Sequence, residues 1–135
     1  MPVSLEDHVD IRNDDDIIAA RLKGRMLAAE LGFSAIGQAM LASVVTELAR
    51  NILDYANDGE LLVQVSEGSG RRGVSIIARD RGPGIANIKI ALQASYSVAA
   101  GLGLGLRGVK GLMDTFDIIS VPGKGTTVTT VKWRL

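Results

Sequence analysis

Ile36, Met40, Val44, Leu48 and Ile52 fall at steps of four through an unbroken segment spanning residues 34–55. Residues three and four apart share one side of a helix, so this spacing predicts one long amphipathic helix, with Ser34 as its N-cap. The apolar side of such a helix has to be covered by other elements. A second helical pattern precedes it over residues 14–31, in Ile17, Ala20, Gly24, Leu27 and Leu31, and Gly32 supplies a stop. The polar stretch Asn13, Asp14, Asp15, Asp16 caps that helix and puts negative charge at the positive end of its dipole. Metal binding is the competing use of these acids, but three consecutive carboxylates cannot all face one ion from a helix start. The helical stripe of Ile17, Leu27 and Leu31 is read as core, with an interface as the alternative.

Around the two helices the pattern changes to strands. Residues 8–11 read as a short edge strand. After the Asn57-Asp58-Gly59 turn, residues 61–66 and 73–78 read as two strands joined by a loop of Gly68, Ser69, Gly70, Arg71 and Arg72. Residues 88–93 read as a short helix and 94–101 as a mobile loop. A further helix starts at Leu104 or Gly105 and reaches Asp114. Residues 116–120 and 126–133 close as a hairpin around Pro122, Gly123, Lys124 and Gly125. Strand, two helices, two strands, helices, two strands is the order of an α/β (α+β) two-layer sandwich. It predicts a mixed, mostly antiparallel sheet covered on one face by helices.

A chain of 135 residues is expected to form one domain over residues 1–135 and to bury roughly two thirds of its unfolded surface. Fifteen basic and fifteen acidic residues cancel, which argues against charge-driven binding to nucleic acid or to a membrane surface. There is no cysteine, so disulfides and thiolate metal sites are excluded. The one histidine, His8, excludes multi-histidine metal sites and argues against Ser-His-Asp chemistry; it reads as a surface residue. The N-terminus is acidic without an apolar core segment, and no apolar run approaches the ~20 residues of a membrane span, so the expected location is the cytoplasm.

Four pieces carry the chemistry. On the long helix, Glu47, Arg50, Asn51 and Asp54 form a polar stripe. It is either a solvated outer face or a site, in which an asparagine oxygen joins a Mg²⁺ shell and a glutamate takes a proton. Asp80, Arg81, Gly82, Pro83 and Gly84 end an apolar strand, either as an ordinary tight turn or as a wall where the acid meets a ligand amino group and the glycines permit close approach. Gly101, Gly103 and Gly105 alternate ahead of a helix, presenting backbone N–H groups at its positive end, an arrangement suited to a polyphosphate. The last strand opens with GKGTT. A literal G-x-G-x-x-G occurs at Gly103, Gly105 and Gly108, but it follows a polar loop late in the chain instead of a core strand, so a dinucleotide fold is rejected. A Walker loop fails as well, since Gly125 follows Lys124 and Ile118 stands where its first glycine belongs.

In this order ELARNI, DRGPGI, GLGLGLRGVKGLMD and GKGTTVTTVKW resemble the Bergerat ATP-binding (GHKL) fold of gyrase, MutL and histidine kinases. The resemblance is closer still to its small bacterial branch, the anti-sigma-factor serine kinases, and to the switch-protein kinases of the stressosome among them. It spans nearly the whole chain. It implies ATP and Mg²⁺ as cofactors, with Asn51 as the Mg²⁺ ligand and Glu47 as the catalytic base. Asp80 becomes the adenine-amino acceptor, Gly82 and Gly84 its wall, and Gly101, Gly103 and Gly105 the phosphate loop. Thr126 or Thr127 becomes the threonine near adenine, a choice the sequence leaves open. The loop over residues 95–100 is short and lacks Lys and Arg, which makes Arg107 and Lys110 the nearest candidates for phosphate neutralisation. The implied activity is protein serine/threonine phosphorylation of a STAS-domain scaffold or antagonist protein in a partner-switching pathway. A PP2C-type phosphatase is implied as a second partner, bound and activated by the released kinase. Two alternatives stand beside this: an ATP-gated binding switch with little kinase activity, and an anti-sigma factor that binds a sigma subunit directly.

Overall fold

The computed structural model describes residues 6–84 and 105–134. Along the chain they form β1 (Glu6–Ile11), α1 (Asp14–Glu30), α2 (Ala35–Ala56), β2 (Gly59–Gly68), β3 (Arg71–Asp80), α3 (Gly105–Leu112), β4 (Thr115–Val121) and β5 (Gly125–Trp133). The five strands make one sheet in the order β1-β2-β3-β5-β4. All four pairings are antiparallel, so the parallel part of the expected mixed sheet does not occur among the described residues. The expected helix over residues 88–93 and the loop over 94–101 lie outside the described residues.

Side-chain caps start the first two helices, and a glycine ends α1. Asn13 accepts the Asp16 N–H at 3.1 Å, while the Arg12 N–H donates to Asp16 Oδ2 at 2.8 Å. Ser34 accepts the Gly37 N–H at 3.1 Å to start α2. At the end of α1 the Gly32 N–H donates to the Ala29 carbonyl and the Phe33 N–H to the Ala28 carbonyl, with Gly32 at φ +84°. That paired bonding satisfies the last carbonyls of the helix and turns the chain back.

One sheet face receives the helices. Leu61 and Val63 on β2, Val74, Ile76 and Ala78 on β3 and Val128 on β5 form the floor. Ile17, Ala20 and Leu27 of α1, Leu41, Val44, Val45, Leu48 and Ile52 of α2, and Leu106 and Val109 of α3 cover it. Ile17 and Leu27 are thus core, as expected. Thr130 is fully buried in this layer and satisfied, its hydroxyl donating to the Ile76 carbonyl at 2.9 Å.

Two expectations need correction. Ile36, read as part of the apolar stripe of α2, is 70% exposed. Each step of four overshoots a full helical turn by about 40°, so five such positions drift off a single face, and Gly37, Leu41 and Val45 take over near the N-terminus. The five-residue loop between the two central strands is a two-residue turn at Ser69 and Gly70, both at positive φ, with Gly68 already opposite Arg71. Such turns match the twist of antiparallel strands. The same end of β3 is also tied to β5, where Arg71 lies over the Trp133 ring at 4.8 Å and the Arg134 N–H donates to the Arg72 carbonyl.

Candidate active site

The polar stripe of α2 divides. Arg50 turns away to the start of α1, where its Nη1 lies 2.7 Å from Asp14 Oδ1, and Asp54 is exposed. Glu47 and Asn51, one turn apart, face inward. Glu47 is only 5% exposed. Its Oε1 accepts the Gly105 N–H at 2.6 Å, where α3 begins. Burial raises the Glu47 carboxyl above its ordinary value, against smaller lowering effects from the Gly105 bond and Arg50 and a smaller raising effect from Asp54. A carboxylate held ionised less easily than usual suits proton transfer. Asn51 Oδ1 is sealed from solvent and has no hydrogen-bond partner among the described residues. Native proteins rarely leave such an acceptor alone, because it forfeits its hydration.

Asn51 lines a cavity of about 110 Å³ bounded by Leu48, Ile52, Tyr55, Ala78, Asp80, Pro83, Gly84, Leu106, Thr126 and Val128. The cavity is mostly apolar, with polar groups at a few points, which is the usual chemistry of a small-molecule pocket. Asp80 stands at the end of β3, opposite Thr126 on β5. Its Oδ1 accepts the Gly82 N–H at 2.9 Å, which fixes the carboxylate relative to the turn. Gly82 packs against the end of α2, where a Cβ would fall 2.6 Å from the Ala56 Cβ.

The structure separates the two threonines. Thr126 is nearly buried in the cavity wall, with its hydroxyl 2.8 Å from that of Ser120. Thr127, its neighbour on the strand, points to the other sheet face. There it borders an open depression with Asp10, Arg12, Asp58, Glu60, Arg79 and Arg81. Alternation along a strand forces this split.

The β4–β5 turn is built into the site, a connection that the sequence motifs do not reveal. The Gly123 N–H donates to the Pro83 carbonyl at 2.8 Å. A Cβ at Gly84 would lie 2.6 Å from the Val121 carbonyl oxygen, and one at Gly125 would lie 2.1 Å from that of Asp80. Gly84 and Gly125 also sit at φ +77° and +132°, where side chains are disfavoured. DRGPG and PGKG are therefore one interlocked structure, and the only trace in the sequence is two glycine-bracketed turns close to partnered strand ends.

Of the expected phosphate-loop glycines, Gly105 is placed, while Gly101 and Gly103 lie outside the described residues. Arg107 and Lys110 are exposed on α3 and neither lines the cavity, because α3 turns Leu106 and Val109 inward. His8 is on edge strand β1, half-exposed as expected, but it is engaged: its Nε2 lies 2.6 Å from Glu60 Oε2 and 3.6 Å from Asp10 Oδ1. Among the described residues, no helix is long and apolar enough to cross a membrane.

Two comparisons with known proteins bear on this site. Residues 37–135 match the family of histidine kinase-, DNA gyrase B-, and HSP90-like ATPases. The chain is also 45% identical over 125 residues to the serine/threonine-protein kinase RsbT of Bacillus subtilis (strain 168), covering 93% of this chain and 94% of that protein.

Proposed function

The chain belongs to the histidine kinase-, DNA gyrase B- and HSP90-like ATPases, and from that membership together with its identity to RsbT we propose that it is an ATP-dependent protein serine/threonine kinase with its nucleotide in the cavity between α2 and β5. The observation that carries the reading is the buried Asn51 oxygen, without a partner among the described residues, one turn from buried Glu47 and in the same cavity as Asp80 and Thr126.

Adenine meets Asp80 and Thr126, with Gly84 allowing close backbone approach. The phosphates run toward the start of α3 and the glycines Gly101, Gly103 and Gly105. Asn51 Oδ1 is a hard oxygen donor of the kind that would hold Mg²⁺. When bound there, Mg²⁺ would supply charge neutralisation to the transferring phosphoryl group. Glu47 orients the incoming serine or threonine hydroxyl and accepts its proton. The hydroxyl oxygen bonds to the γ-phosphorus as the bond to the β-phosphate bridging oxygen breaks, and ADP leaves with that electron pair. Positioning and electrostatics supply most of the acceleration. The substrate hydroxyl is on a STAS-domain scaffold or antagonist protein, and the released kinase binds and activates a PP2C-type phosphatase. The kinship to RsbT supports these partners, and the cytoplasm is the location they require.

Calorimetric titration with a non-hydrolysable ATP analogue, with and without Mg²⁺, beside Asn51→Ala, tests the reading. Binding that depends on Mg²⁺ and weakens in the variant is expected. Binding that is indifferent to both would remove Asn51 from the site, and no binding by the folded protein would remove the nucleotide reading.

A further inference from the structure

A general base has to touch the hydroxyl it deprotonates, and the Glu47 carboxylate is already engaged elsewhere through one of its oxygens. It is almost wholly buried, and one carboxylate oxygen is taken by the Gly105 N–H. Resting on the nucleotide reading above, we propose that the Glu47–Gly105 bond is an autoinhibitory contact that the polyphosphate of the nucleotide breaks, so that the base is released only in a loaded site.

Three features of the contact support this. First, the bond occupies the first amide of α3, whose positive end is where the phosphates of that reading arrive. A side-chain carboxylate there takes the place of a phosphate oxygen, and one N–H aimed at 2.6 Å cannot serve both acceptors. Second, the exchange is electrostatically driven. Burial already disfavours the Glu47 charge, and a polyphosphate alongside adds like-charge repulsion. The carboxylate gains by leaving the amide for the incoming hydroxyl. Third, the backbone can yield. Gly105 sits at φ +68°, and glycine reorients its peptide planes at little steric cost. The contact also separates the roles of the two inward residues of α2. Among the described residues the Asn51 oxygen has no partner, while Glu47 Oε1 is held by the Gly105 N–H.

An alternative is that Glu47 merely caps α3 and keeps this bond throughout. The amide proton of Gly105 in the ¹⁵N-labelled full chain distinguishes the two. In the free protein a short bond to a carboxylate places it downfield, and Glu47→Gln, which weakens the acceptor, identifies the signal by moving it upfield. Saturation with the Mg²⁺ complex of a non-hydrolysable ATP analogue is expected to remove the downfield shift. Adenosine, which lacks phosphates, is expected to move the amides of Asp80 and Thr126 and leave Gly105 in place. If the triphosphate analogue moves Asp80 and Thr126 but leaves Gly105 downfield, the inference is overturned and the nucleotide site stands. If the analogue moves none of these amides, the nucleotide reading falls and takes the inference with it.

Discussion

Glu47 and Glu60 are carried by neighbouring parts of one scaffold and meet opposite surroundings. Glu47 faces the helix layer, where burial raises its carboxyl above the ordinary 4.5. Glu60 projects from β2 onto the other sheet face, where the His8 hydrogen bond, helped by charge from His8 and Arg79, lowers its carboxyl below the same value. One carboxylate is under-compensated and, among the described residues, held by the Gly105 amide. The other lies between His8 at 2.6 Å and Arg79 at 3.5 Å. The first environment is built to move a proton and the second to keep a charge, so two acids of identical chemistry are assigned different work by what surrounds them.

The sharpest way to break this comparison is to remove each carboxylate in turn. Glu47→Ala is expected to lower the phosphotransfer rate by about 10²–10⁴-fold, the usual contribution of a positioned base, with binding of the ATP analogue retained. Glu60→Gln is expected to leave the rate unchanged. Single-turnover transfer from radiolabelled ATP to the protein substrate measures both, and equal rates in Glu47→Ala and parent would withdraw the role from Glu47. The pH dependence of stability should also have opposite signs at the two positions. The raised Glu47 carboxyl binds its proton more tightly in the folded state. Its contribution to stability is therefore full below 4.5 and lost as pH rises through the folded value. Glu47→Gln should remove that decline, which thermal denaturation across the acidic range would show.

A second contrast lies between two glycines of the β4–β5 turn. Gly125→Ala would drive a Cβ into the Asp80 carbonyl oxygen from a backbone at φ +132°. Backbone strain alone is expected to cost about 1–3 kcal/mol. Gly123 also has positive φ, but a Cβ there meets nothing within 4 Å, so Gly123→Ala should cost less. Urea unfolding of the two variants ranks them. The reverse order would mean that the turn is free to move away from Asp80, and that the interlock does not hold the cavity wall.

These cases also show which parts of the molecule were legible in advance. Capping residues, the helical stripe of α1 and strand alternation are local rules, and Asn13, Ser34, Gly32 and Ile17 obeyed them. The order of the described elements therefore emerged from the sequence, and of the expected site residues Asn51, Asp80, Gly84 and Thr126 line the cavity. The step-of-four stripe misled at Ile36 because helical drift accumulates over five positions. The polar stripe of α2 was ambiguous because its members answer to different neighbours. Arg50 is claimed by Asp14 and Glu47 by Gly105, and both partners are remote along the chain. The packing of Gly84 and Gly125 against remote carbonyls was hidden for the same reason, since it depends on the register of β3 with β5.

The two threonines carry a smaller prediction of the same kind. Thr126→Val removes a hydroxyl from the cavity wall and should weaken the ATP analogue about two- to tenfold, equivalent to one ordinary hydrogen bond. Thr127→Val, on the other sheet face, should leave affinity unchanged. Titration calorimetry decides, and equal losses would place the nucleotide outside this cavity.

The smallest effect belongs to the satisfied partner of the opening pair. The lowered Glu60 carboxyl releases its proton more readily in the folded state. Its contribution to stability is thus present above 4.5 and lost as pH falls through the folded value. His8→Ala removes the leading cause of that lowering. Both side chains are partly open to water, and solvent screens such pairs, so the loss at neutral pH should stay within about 1 kcal/mol. The effect should shrink in high salt and vanish in acid, where Glu60 is protonated with or without its partner. A deficit that persists at low pH and high salt would mean that His8 stabilises edge strand β1 by packing instead of by charge. The contrast between the two glutamates would then rest on Glu47 alone.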